Sequence, residues 1–465
     1  MYAIKEQEFT AALIKFILKI NYEDIPEIVL ERAKLMVLDN IGVQLAGSSF
    51  KIGKIIKEYL EDLGGNKQAT VIGLQRKAPC AIAAWANGVL AHALDIDDGD
   101  RRGVHSHPSC KSLPAALAVG EYIGVSGKDL LTAFILSTEI QIKVGMLVQP
   151  SHFKRGFHGT GTFGVFGAAT AAGKLLKLKE KELLYAFGIA GSVTNALCIN
   201  IATMTKAYHA GNAAEQGVKA ALLAKNGWQS STKIIEGQCG FAQAMSDEFY
   251  SNLGNSDILE KMRKIILQLG NQWEIEEPGI YFKAYPSCGY MQHYIDLAIK
   301  ISKKYNIEID QIDSVEIGAD AISIDLHNLA GDKIPDDGFH ARYNIAAGVA
   351  VGLSKRSCDI DLFEDIIFRD QKLRELINKI KIYPDSDRIV KVKLKNGKVY
   401  TEIVRMEKYK NISGPTLELT KEEVYEKFKK CVRKKLSQGK VEKLFELINN
   451  LEEVTDVKEI ISIIG

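Results

Sequence analysis

The chain has 465 residues, a length that favours two domains, each with its own hydrophobic core. Its 60 Lys and Arg residues nearly balance 58 Asp and Glu residues, so the formal net charge of +2 creates no broad field that would favour nucleic acid. Binding of anions must therefore depend on local clusters of side chains. The seven cysteines are scattered without a CxxC pair, which is typical of a reducing compartment and gives no indication of structural zinc.

The amino-terminal segment and the lack of long apolar runs predict a cytoplasmic protein. Residues 1–16 carry charged side chains where a signal peptide would need an uninterrupted apolar stretch. No later segment approaches the ~20 apolar residues of a membrane-spanning helix. The same pattern also fits an organellar protein whose transit peptide has been removed.

Helical periodicity dominates the chain up to about residue 270. Apolar residues recur there at every third or fourth position, and strand-like alternation is nearly absent. The pattern predicts a helix over residues 25–45, and Ser126 with Asp129 predicts a capping box before the apolar run 130–148. Stretches rich in Ala and Gly predict closely packed central helices in residues 80–120 and 156–173.

After residue 270 the pattern becomes that of an α+β segment. Short alternating runs predict strands over residues 314–317, 389–394 and 399–404. The last two flank Asn396-Gly397, which favours a hairpin because both residues tolerate positive φ. A helical pattern rich in Lys and Glu then returns, and we expect it to pack on the first part. The predicted segments are therefore 1–268 (helical), 269–408 (α+β) and 409–465 (helical).

The densest cluster of polar side chains lies in residues 92–109, which contain four Asp, three His and two Arg between apolar segments. Carboxylates and imidazoles so close together shift one another's pKa values and can supply a base and an acid near neutral pH. We interpret the segment as an active-site loop; the alternative is a solvated loop between helices. Asp95, Asp97 and His107 could also bind a divalent cation, but no second ligand motif such as HExxH occurs, so we predict no metal.

A GxGxxG pattern occurs at Gly159, Gly161 and Gly164. A dinucleotide site requires a buried strand directly before such glycines and an acidic residue about 20 positions later. Residues 150–158 are charged and aromatic instead, so we predict no nucleotide cofactor and assign the glycines to close packing of helices. Arg155 and His158 would then lie at a helix N-terminus, where backbone N–H groups favour an anion.

Three further segments place basic or thiol side chains near the start of apolar helices. Lys206 and His209 adjoin a stretch of small residues, and Lys206, if buried there, needs an anionic partner; the alternative is a solvated surface lysine. Cys288 lies in a turn before a helix, where the pKa of a thiol can be lowered; the alternative is an inert buried cysteine. Lys283 precedes this turn, and Arg342 begins another apolar helix as a candidate carboxylate clamp.

Taken in order, these segments resemble the MmgE/PrpD family, whose members include 2-methylcitrate dehydratase, cis-aconitate decarboxylase and iminodisuccinate epimerase. The resemblance extends over essentially the whole chain. The motifs that carry it are LDNIGVQLAGS, NGVLAHALDIDDG, HSHPSC, GFHGTGTFG, KAYHAGNAAEQG, KAYPSC and ARYNIAAGVA, followed by a helical tail after SGPTLELTKEE.

The resemblance implies a mainly α fold, with a large all-helical domain built from both ends of the chain and a smaller inserted α+β lid domain. It also implies a homodimer and an active site between the domains that uses no cofactor. Asp95 and His107 match an acid–base pair of the family, and its basic catalytic or substrate-binding residues match His158, Lys206 and Lys283. Three positions near the substrate depart from the family pattern: Gly99 replaces a Thr, Cys288 a His and Ala347 a Tyr.

These features predict an acid–base lyase for a small di- or tricarboxylate. Such reactions develop negative charge beside a carboxylate, and this charge must be neutralised in a water-poor site. The groups expected to do so are Lys206, Lys283, Arg342 and an imidazolium at His158. Arg155 and His209 are expected to bind substrate, and His107, oriented by Asp95, to transfer the proton. We expect these residues to converge on one cavity.

The reaction itself has three alternatives. Elimination of water, as in 2-methylcitrate dehydratase, is our first hypothesis because several members of the family are dehydratases. If Cys288 acts as a second base opposite His107, the protein is an epimerase or isomerase of a dicarboxylate instead. A non-catalytic protein that binds carboxylates on the same fold is the third alternative.

Overall fold

The computed structural model describes residues 8–251, 256–331, 334–335, 337–409 and 417–465. Over these residues the protein is mostly helical with small sheets, which confirms the mainly α prediction. The first seven residues of the amino-terminal segment and the first four of the SGPTLELTKEE motif lie outside the described residues.

The first part of the chain is built from helices. They are α1 (Phe9–Lys19), α2 (Glu27–Gly47), α3 (Lys51–Leu63), α4 (Cys80–His92), α5 (Ser109–Ile123), α6 (Gly127–Val148), α7 (Ser151–Lys154), α8 (Gly164–Leu175), α9 (Glu180–Gly191), α10 (Thr205–Lys225), α11 (Phe241–Met245), α12 (Asp247–Ser251) and α13 (Ser256–Gln268). The helix predicted over residues 25–45 is α2, and the run 130–148 belongs to α6.

The start of α6 follows from its predicted capping box. The hydroxyl of Ser126 accepts a hydrogen bond from the N–H of Asp129 (3.1 Å), and the carboxylate of Asp129 accepts one from the N–H of Ser126 (3.4 Å). By length and composition α6 could cross a membrane, contrary to our expectation that no segment approaches this limit. However, 94% of its most apolar stretch is buried inside the protein, as in a core helix.

Small residues let the central helices α4, α8 and α10 approach closely. A Cβ added at Gly88 of α4 would lie 2.8 Å from the Cα of Gly211 in α10, and one at Gly217 would lie 2.4 Å from the Cβ of Ala168 in α8. This confirms close packing in the Ala- and Gly-rich stretches. The stretches are not helical throughout, because residues 93–97, 101–108 and 155–163 form loops and turns and residues 98–100 form a short strand.

The remaining helices and all strands complete two hydrophobic cores. The strands are β1 (Ala69–Val71), β2 (Arg76–Ala78), β3 (Asp98–Asp100), β4 (Ile280–Phe282), β5 (Ile312–Ala319), β6 (Ile380–Pro384), β7 (Arg388–Leu394) and β8 (Val399–Val404). The later helices are α14 (Gln292–Lys304), α15 (Ala321–Leu329), α16 (Gly338–Ala341), α17 (Ile345–Lys355), α18 (Gln371–Asn378), α19 (Lys421–Val432), α20 (Gln438–Asn449) and α21 (Lys458–Ile464).

The second core lies on a four-stranded sheet of order β6-β5-β7-β8, in which β5 and β6 are parallel and the other neighbours antiparallel. The three predicted strands and the hairpin are confirmed, and Gly397 in the turn has φ +84°. β6 was not predicted from the sequence. The last helices return to the first core, where α19 packs on α2 and Phe428 lies fully buried. The domain bounds stay a prediction.

A short ladder joins the polar segment 92–109 to the start of the second part. β3 pairs antiparallel with β4, with Asp98 opposite Phe282 and Gly99 opposite Tyr281. Each strand has three residues, so neither produced a recognisable alternation in the sequence. The ladder fixes the residue that follows β4, Lys283, beside the aspartates of the loop.

Candidate active site

Two buried lysines from distant parts of the chain meet at one buried carboxylate. Lys206, in the first turn of α10, donates a hydrogen bond from Nζ to Oδ1 of Asp95 (2.7 Å). Lys283, directly after β4, donates to the same Oδ1 and to the main-chain oxygen of Asp95 (3.1 Å). Asp95 adopts a left-handed turn (φ +53°) after α4, which turns its side chain back to the two lysines. The expected anionic partner of Lys206 is therefore Asp95.

The two ammonium groups keep this carboxylate ionised. Burial alone would raise the pKa of Asp95, but the charges of Lys206 and Lys283 hold it well below its usual range. Burial would likewise lower the pKa of Lys283, but Asp95 and Asp97 raise it. The buried charges are thus mutually dependent, and each would be costly without the others.

Asp97 adds a second carboxylate to the group. Its Oδ2 lies 2.7 Å from Nδ1 of His92, and its Oδ1 lies 3.4 Å from Nζ of Lys283. Burial would raise the pKa of Asp97, but His92 and Lys283 hold it well below its usual range. Sequence reasoning did not assign a role to His92, although it begins the polar cluster.

His107 is held by the main chain and not by Asp95. Its Nδ1 donates a hydrogen bond to the carbonyl oxygen of Asp98 (2.6 Å) and lies 3.8 Å from Oδ2 of Asp97. The expectation that Asp95 orients His107 is therefore wrong, because both lysines bind that carboxylate. Burial, followed by the charges of Lys283 and Lys206, lowers the pKa of His107 well below 6.5. The imidazole is neutral at pH 7, and its Nε2 is left as an acceptor.

His158 and His209 form a neutral pair next to His107. Their Nδ1 atoms lie 3.1 Å apart, so one ring donates and the other accepts. Burial lowers the pKa of His209 to about 4, and burial together with His209 and Lys206 lowers that of His158 well below 6.5. The expected imidazolium at His158 is therefore wrong. We call His92, His107, His158 and His209 the histidine cluster.

The histidine cluster predicts that the protein loses stability as the pH falls below about 6.5. The folded protein keeps these rings neutral, whereas the unfolded chain binds protons below the usual histidine pKa, so acid favours unfolding. The loss should reach up to ~1.4 kcal/mol per pH unit for each such histidine, down to about pH 4 for His209. Urea unfolding at about pH 7 and about pH 5 measures it. His209→Asn should make the free energy of unfolding depend less steeply on pH, by the equivalent of about one bound proton. Equal stability of the wild-type protein at both pH values would contradict the assignment of neutral histidines.

Buried histidines and aspartates of the site lie close enough together to be considered as metal ligands. Ligand atoms of His92, His107 and His158 lie within 4.8 Å of one another, as do those of His92, Asp95, Asp97 and His107. Both carboxylates already accept hydrogen bonds from ammonium or imidazole groups. A cation bound to them would lie beside the ammonium groups of Lys206 and Lys283, whose positive charges oppose its binding. The absence of a metal from the reaction stays a prediction.

A small central cavity of about 60 Å³ lies beside these groups. His107, His158, Lys206 and Cys288 line it, together with Asp100, His105, Ser106, Phe153, Ile201, Tyr281, Gly289, Tyr290, Leu326 and Tyr343. Most of its apolar lining residues belong to or pack on the second core, whereas its polar lining residues come from the first part of the chain. Ligand pockets usually measure ~300–1,000 Å³, so this cavity is compact for a tricarboxylate.

Family models match most of the chain. The model of the MmgE/PrpD N-terminal domain matches residues 11–252, and that of the MmgE/PrpD C-terminal domain matches residues 285–453. The chain belongs to the MmgE/PrpD family. This confirms the resemblance stated from the motifs.

Curated relatives within the MmgE/PrpD family match over nearly their full length. Cis-aconitate decarboxylase from Homo sapiens is 27% identical over 445 residues, which cover 92% of this chain and 88% of the relative. The Mus musculus protein of that name is 27% identical over 460 residues, covering 94% and 89%. Cis-aconitate decarboxylase from Aspergillus terreus is 22% identical over 485 residues, covering 98% and 96%.

One of the departures from the family pattern, Gly99, has a structural reason. A Cβ at Gly99 would lie 2.3 Å from the hydroxyl of Tyr281, so the tyrosine fills the space that the family's Thr would need. Ala347, at the position of the family's Tyr, is fully buried in α17. Tyr343 lines the central cavity instead, with the ammonium group of Lys206 5.3 Å from its ring centre. Sequence reasoning missed Tyr343, although it directly follows Arg342.

Tyr343 presents a protonated hydroxyl to the site. Burial, and then the charge of Asp95, raises its pKa well above 10. The carboxylate of Asp95 also interacts with this hydroxyl and raises its pKa further, although among the described residues the hydroxyl and Oδ2 of Asp95 make no well-aligned hydrogen bond. A bound molecule would therefore compete with Asp95 for the hydroxyl proton.

Cys288 lines the central cavity, but its thiol is not activated. Burial raises its pKa to about 11, with Asp95 contributing in the same direction. The expected lowering by the turn before α14 is therefore wrong: only a short 3-10 turn, Gly289–Met291, follows the cysteine directly. A neutral thiol is a poor base at pH 7.

Two arginines lie outside the central cavity. Arg155 follows α7 on the surface, where its Nη1 donates to the main-chain oxygen of Ala244 (3.1 Å) and lies 3.5 Å from Asp247. The expectation that Arg155 lies at a helix N-terminus is wrong, since α8 begins only at Gly164. Arg342 is buried and lines a neighbouring cavity. The structure does not bring either guanidinium into the lining of the central cavity.

The GxGxxG glycines serve packing, as predicted. A Cβ at Gly161 would lie 2.4 Å from the Cβ of Ala196, and one at Gly164 would lie 2.5 Å from Cε of Lys111. The residues directly before the pattern form a helix and turns in the structure, not the buried strand of a dinucleotide site.

Proposed function

We propose that the protein is an acid–base lyase that removes water from a small hydroxylated di- or tricarboxylate, using side chains alone. The observation that carries the proposal is the neutral imidazole of His107 beside two buried ammonium groups. His107 supplies a base at pH 7, and Lys206 and Lys283 supply the positive charge that a second negative charge on the substrate requires. The membership of the MmgE/PrpD family supports the class of substrate.

The proposed reaction begins with removal of a proton from the carbon next to a substrate carboxylate. Nε2 of His107 takes this proton, and the electron pair moves onto the carboxylate to form an enediolate. Lys206 and Lys283 stabilise its extra charge, which is worth most in a site that excludes water. Because Asp95 already shares their positive charge, the substrate carboxylate competes with Asp95 for the ammonium protons.

The proposed second step expels the hydroxyl group from the neighbouring carbon. The C–O bond breaks as the C=C bond forms, and the hydroxyl of Tyr343 gives the proton with which the group leaves as water. His107 then returns its proton to Tyr343 through solvent, so that both residues are restored. The products are water and an unsaturated polycarboxylate. General acid–base catalysis of this kind typically contributes about 10²–10⁴ in rate.

Decarboxylation is the second candidate, since the relatives matched over the full length are named cis-aconitate decarboxylases. That reaction leaves a carbanion that must gain a proton, from a protonated His107 or from the hydroxyl of Tyr343. The lowered pKa of His107 suits this residue better to the role of base in dehydration than to the role of acid in decarboxylation. Incubation with citrate, 2-methylcitrate and cis-aconitate, followed by NMR, separates the reactions. Loss of water supports the proposal, release of CO₂ from cis-aconitate would establish the second candidate, and binding without turnover would favour a carboxylate-binding protein.

Cys288→Ala tests the epimerase alternative. Because burial raises the pKa of the thiol to about 11, we expect the variant to keep exchange of deuterium from D₂O into the substrate α-carbon within about threefold of wild type. Proton NMR of recovered substrate measures the exchange. Loss of the exchange in a folded variant would assign the thiol as a base and support the epimerase.

The quaternary structure and the lid are proposals as well. We propose that residues 269–408 move as a lid, because a cavity of about 60 Å³ must open to admit a tricarboxylate.

We also propose a homodimer. It is supported by the neighbouring aromatic side chains of Tyr59 and Tyr208, which lie on either side of Trp85 and are 49% and 47% exposed. Light scattering tests the dimer. A cytoplasmic location and the absence of nucleic-acid binding stay predictions.

A further inference from the structure

A second cavity of about 350 Å³ lies between the two hydrophobic cores, and it shares no lining residue with the central cavity. One wall comes from the start of α3 and from the residues directly after α4, where Ile52, Ala93 and Leu94 belong to the first core. The opposite wall comes from α16 and residues 363–369, of which Phe363 belongs to the second core. A molecule bound there would touch both cores.

Arg342 is the buried cation of this cavity. The residue is 4% exposed, and its Nε has no hydrogen-bond partner among the described residues. The guanidinium carbon lies 5.0 Å from the centre of the Phe339 ring, a contact that stabilises the charge without satisfying its N–H groups. Burial lowers the pKa of Arg342 to about 10, so the group is still charged at pH 7. The carboxylates of Asp95, Asp337 and Asp365 partly balance this charge, but none of them forms a hydrogen bond or ion pair with the guanidinium in the described part of the chain. A buried charge of this kind is stabilised by a directly bound anion.

The N-terminus of α3 faces the same space. The helix has 13 residues, begins at Lys51, and its N-cap residue Phe50 makes no side-chain capping bond. The main-chain N–H groups of Lys51 and Ile52 make no hydrogen bond within the described part of the chain. Free N–H groups and the helix dipole make such an end favourable for an anion.

The charges around the cavity also favour an anion. Lys51, Arg342 and Arg369 line it against Glu364 and Asp365. One carboxylate oxygen of Asp365 already accepts a hydrogen bond from a main-chain N–H, that of Gly338 (3.0 Å). The unsatisfied donors are therefore Arg342 and the first turn of α3.

We propose that this cavity binds a small oxyanion, a carboxylate or a phosphate group, between the guanidinium of Arg342 and the N-terminus of α3. The planar guanidinium can bind two oxygens of such a group at once, and the helix end can bind a third. The bound anion would hold the two cores together. Arg342 would then serve a site separate from the central cavity, which differs from the substrate clamp expected from the sequence. The inference does not depend on which reaction the protein catalyses.

Calorimetric titration with inorganic phosphate and with succinate tests the proposal. Lys51→Glu places a negative charge in the lining of the cavity, so it should weaken binding of either anion at least tenfold. Glutamate also suits the first turn of a helix, so the variant should still fold. Lys54→Glu is the matched control, because it makes the same charge change on the same helix at an exposed position outside the lining. It should bind as wild type does. Arg342→Gln should abolish binding.

Each outcome supports or overturns the proposal. If Lys51→Glu loses the binding, the anion that the wild-type protein binds more tightly, phosphate or succinate, identifies whether the oxyanion is a phosphate group or a carboxylate. If Lys51→Glu binds both anions as tightly as Lys54→Glu, or if wild type binds neither at millimolar concentration, the proposal is overturned. The exposed Lys51 variant keeps the test decisive even where Arg342→Gln fails to fold, which its melting temperature would reveal.

Discussion

Replacing His107 by Asn is expected to lower kcat about 10²–10⁴-fold with little change in melting temperature. The amide nitrogen of Asn occupies nearly the position of Nδ1, so it can keep the hydrogen bond to the carbonyl of Asp98. The variant lacks only the ring atom Nε2, to which we assign proton abstraction. The measurement is the turnover of the best substrate, with deuterium exchange at the α-carbon as a second readout.

A histidine outside the site provides the control for this experiment. His340 is partly exposed and pairs with Asp337 at 3.1 Å, and His340→Asn should leave both readouts unchanged. A His107→Asn variant that retains turnover within about tenfold of wild type would show that another group removes the proton.

Asp95→Asn should destabilise the protein by about 3–5 kcal/mol, because it leaves two buried ammonium groups without their shared counter-ion. The pKa of Asp95 is lowered in the folded state, so its contribution is fully present above its unfolded pKa and is lost as the pH falls through the lower folded value. Urea unfolding at about pH 7 therefore measures the whole effect.

An exposed ion pair provides the comparison. Asp247 lies 3.5 Å from Arg155 with its side chain 67% exposed, and Asp247→Asn should change the free energy of unfolding by less than about 0.5 kcal/mol. A loss below about 1 kcal/mol for Asp95→Asn would mean that the lysines are stabilised in another way, and would weaken the proposed charge neutralisation.

The motifs predicted part of the group that meets, including Asp95, Lys206 and Lys283, but they wrongly added Arg155 and Arg342. Lys206 follows a stretch of small and apolar residues, which required a buried anionic partner, and that partner is Asp95. Strands β7 and β8 could be predicted because they alternate over seven and six residues, whereas only residues 314–317 of β5 were recognised. The capping box of α6 was visible because its two residues, Ser126 and Asp129, lie only three positions apart in the sequence.

The states of the site residues could not be predicted, because burial decides them. Two groups were expected in their charged or activated form, His158 and Cys288, and burial favours the neutral form of both. The orientation of His107 depends on the loop after β3, whose three-residue ladder carries no periodic signal. Tyr343 was overlooked since a tyrosine before an apolar helix looks the same whether it lines a cavity or packs in a core.

The ladder between β3 and β4 also constrains when the site can form during synthesis. Asp95 and Lys283 are separated by 188 residues, so the aspartates leave the ribosome ~10–40 s before their lysine at usual rates of translation. During that interval the nascent polypeptide lacks the ammonium group of Lys283 that compensates for burial of the carboxylates, so the loop has to stay hydrated. The helices around the loop can pack early, but the site is complete only after the second part of the chain has been translated.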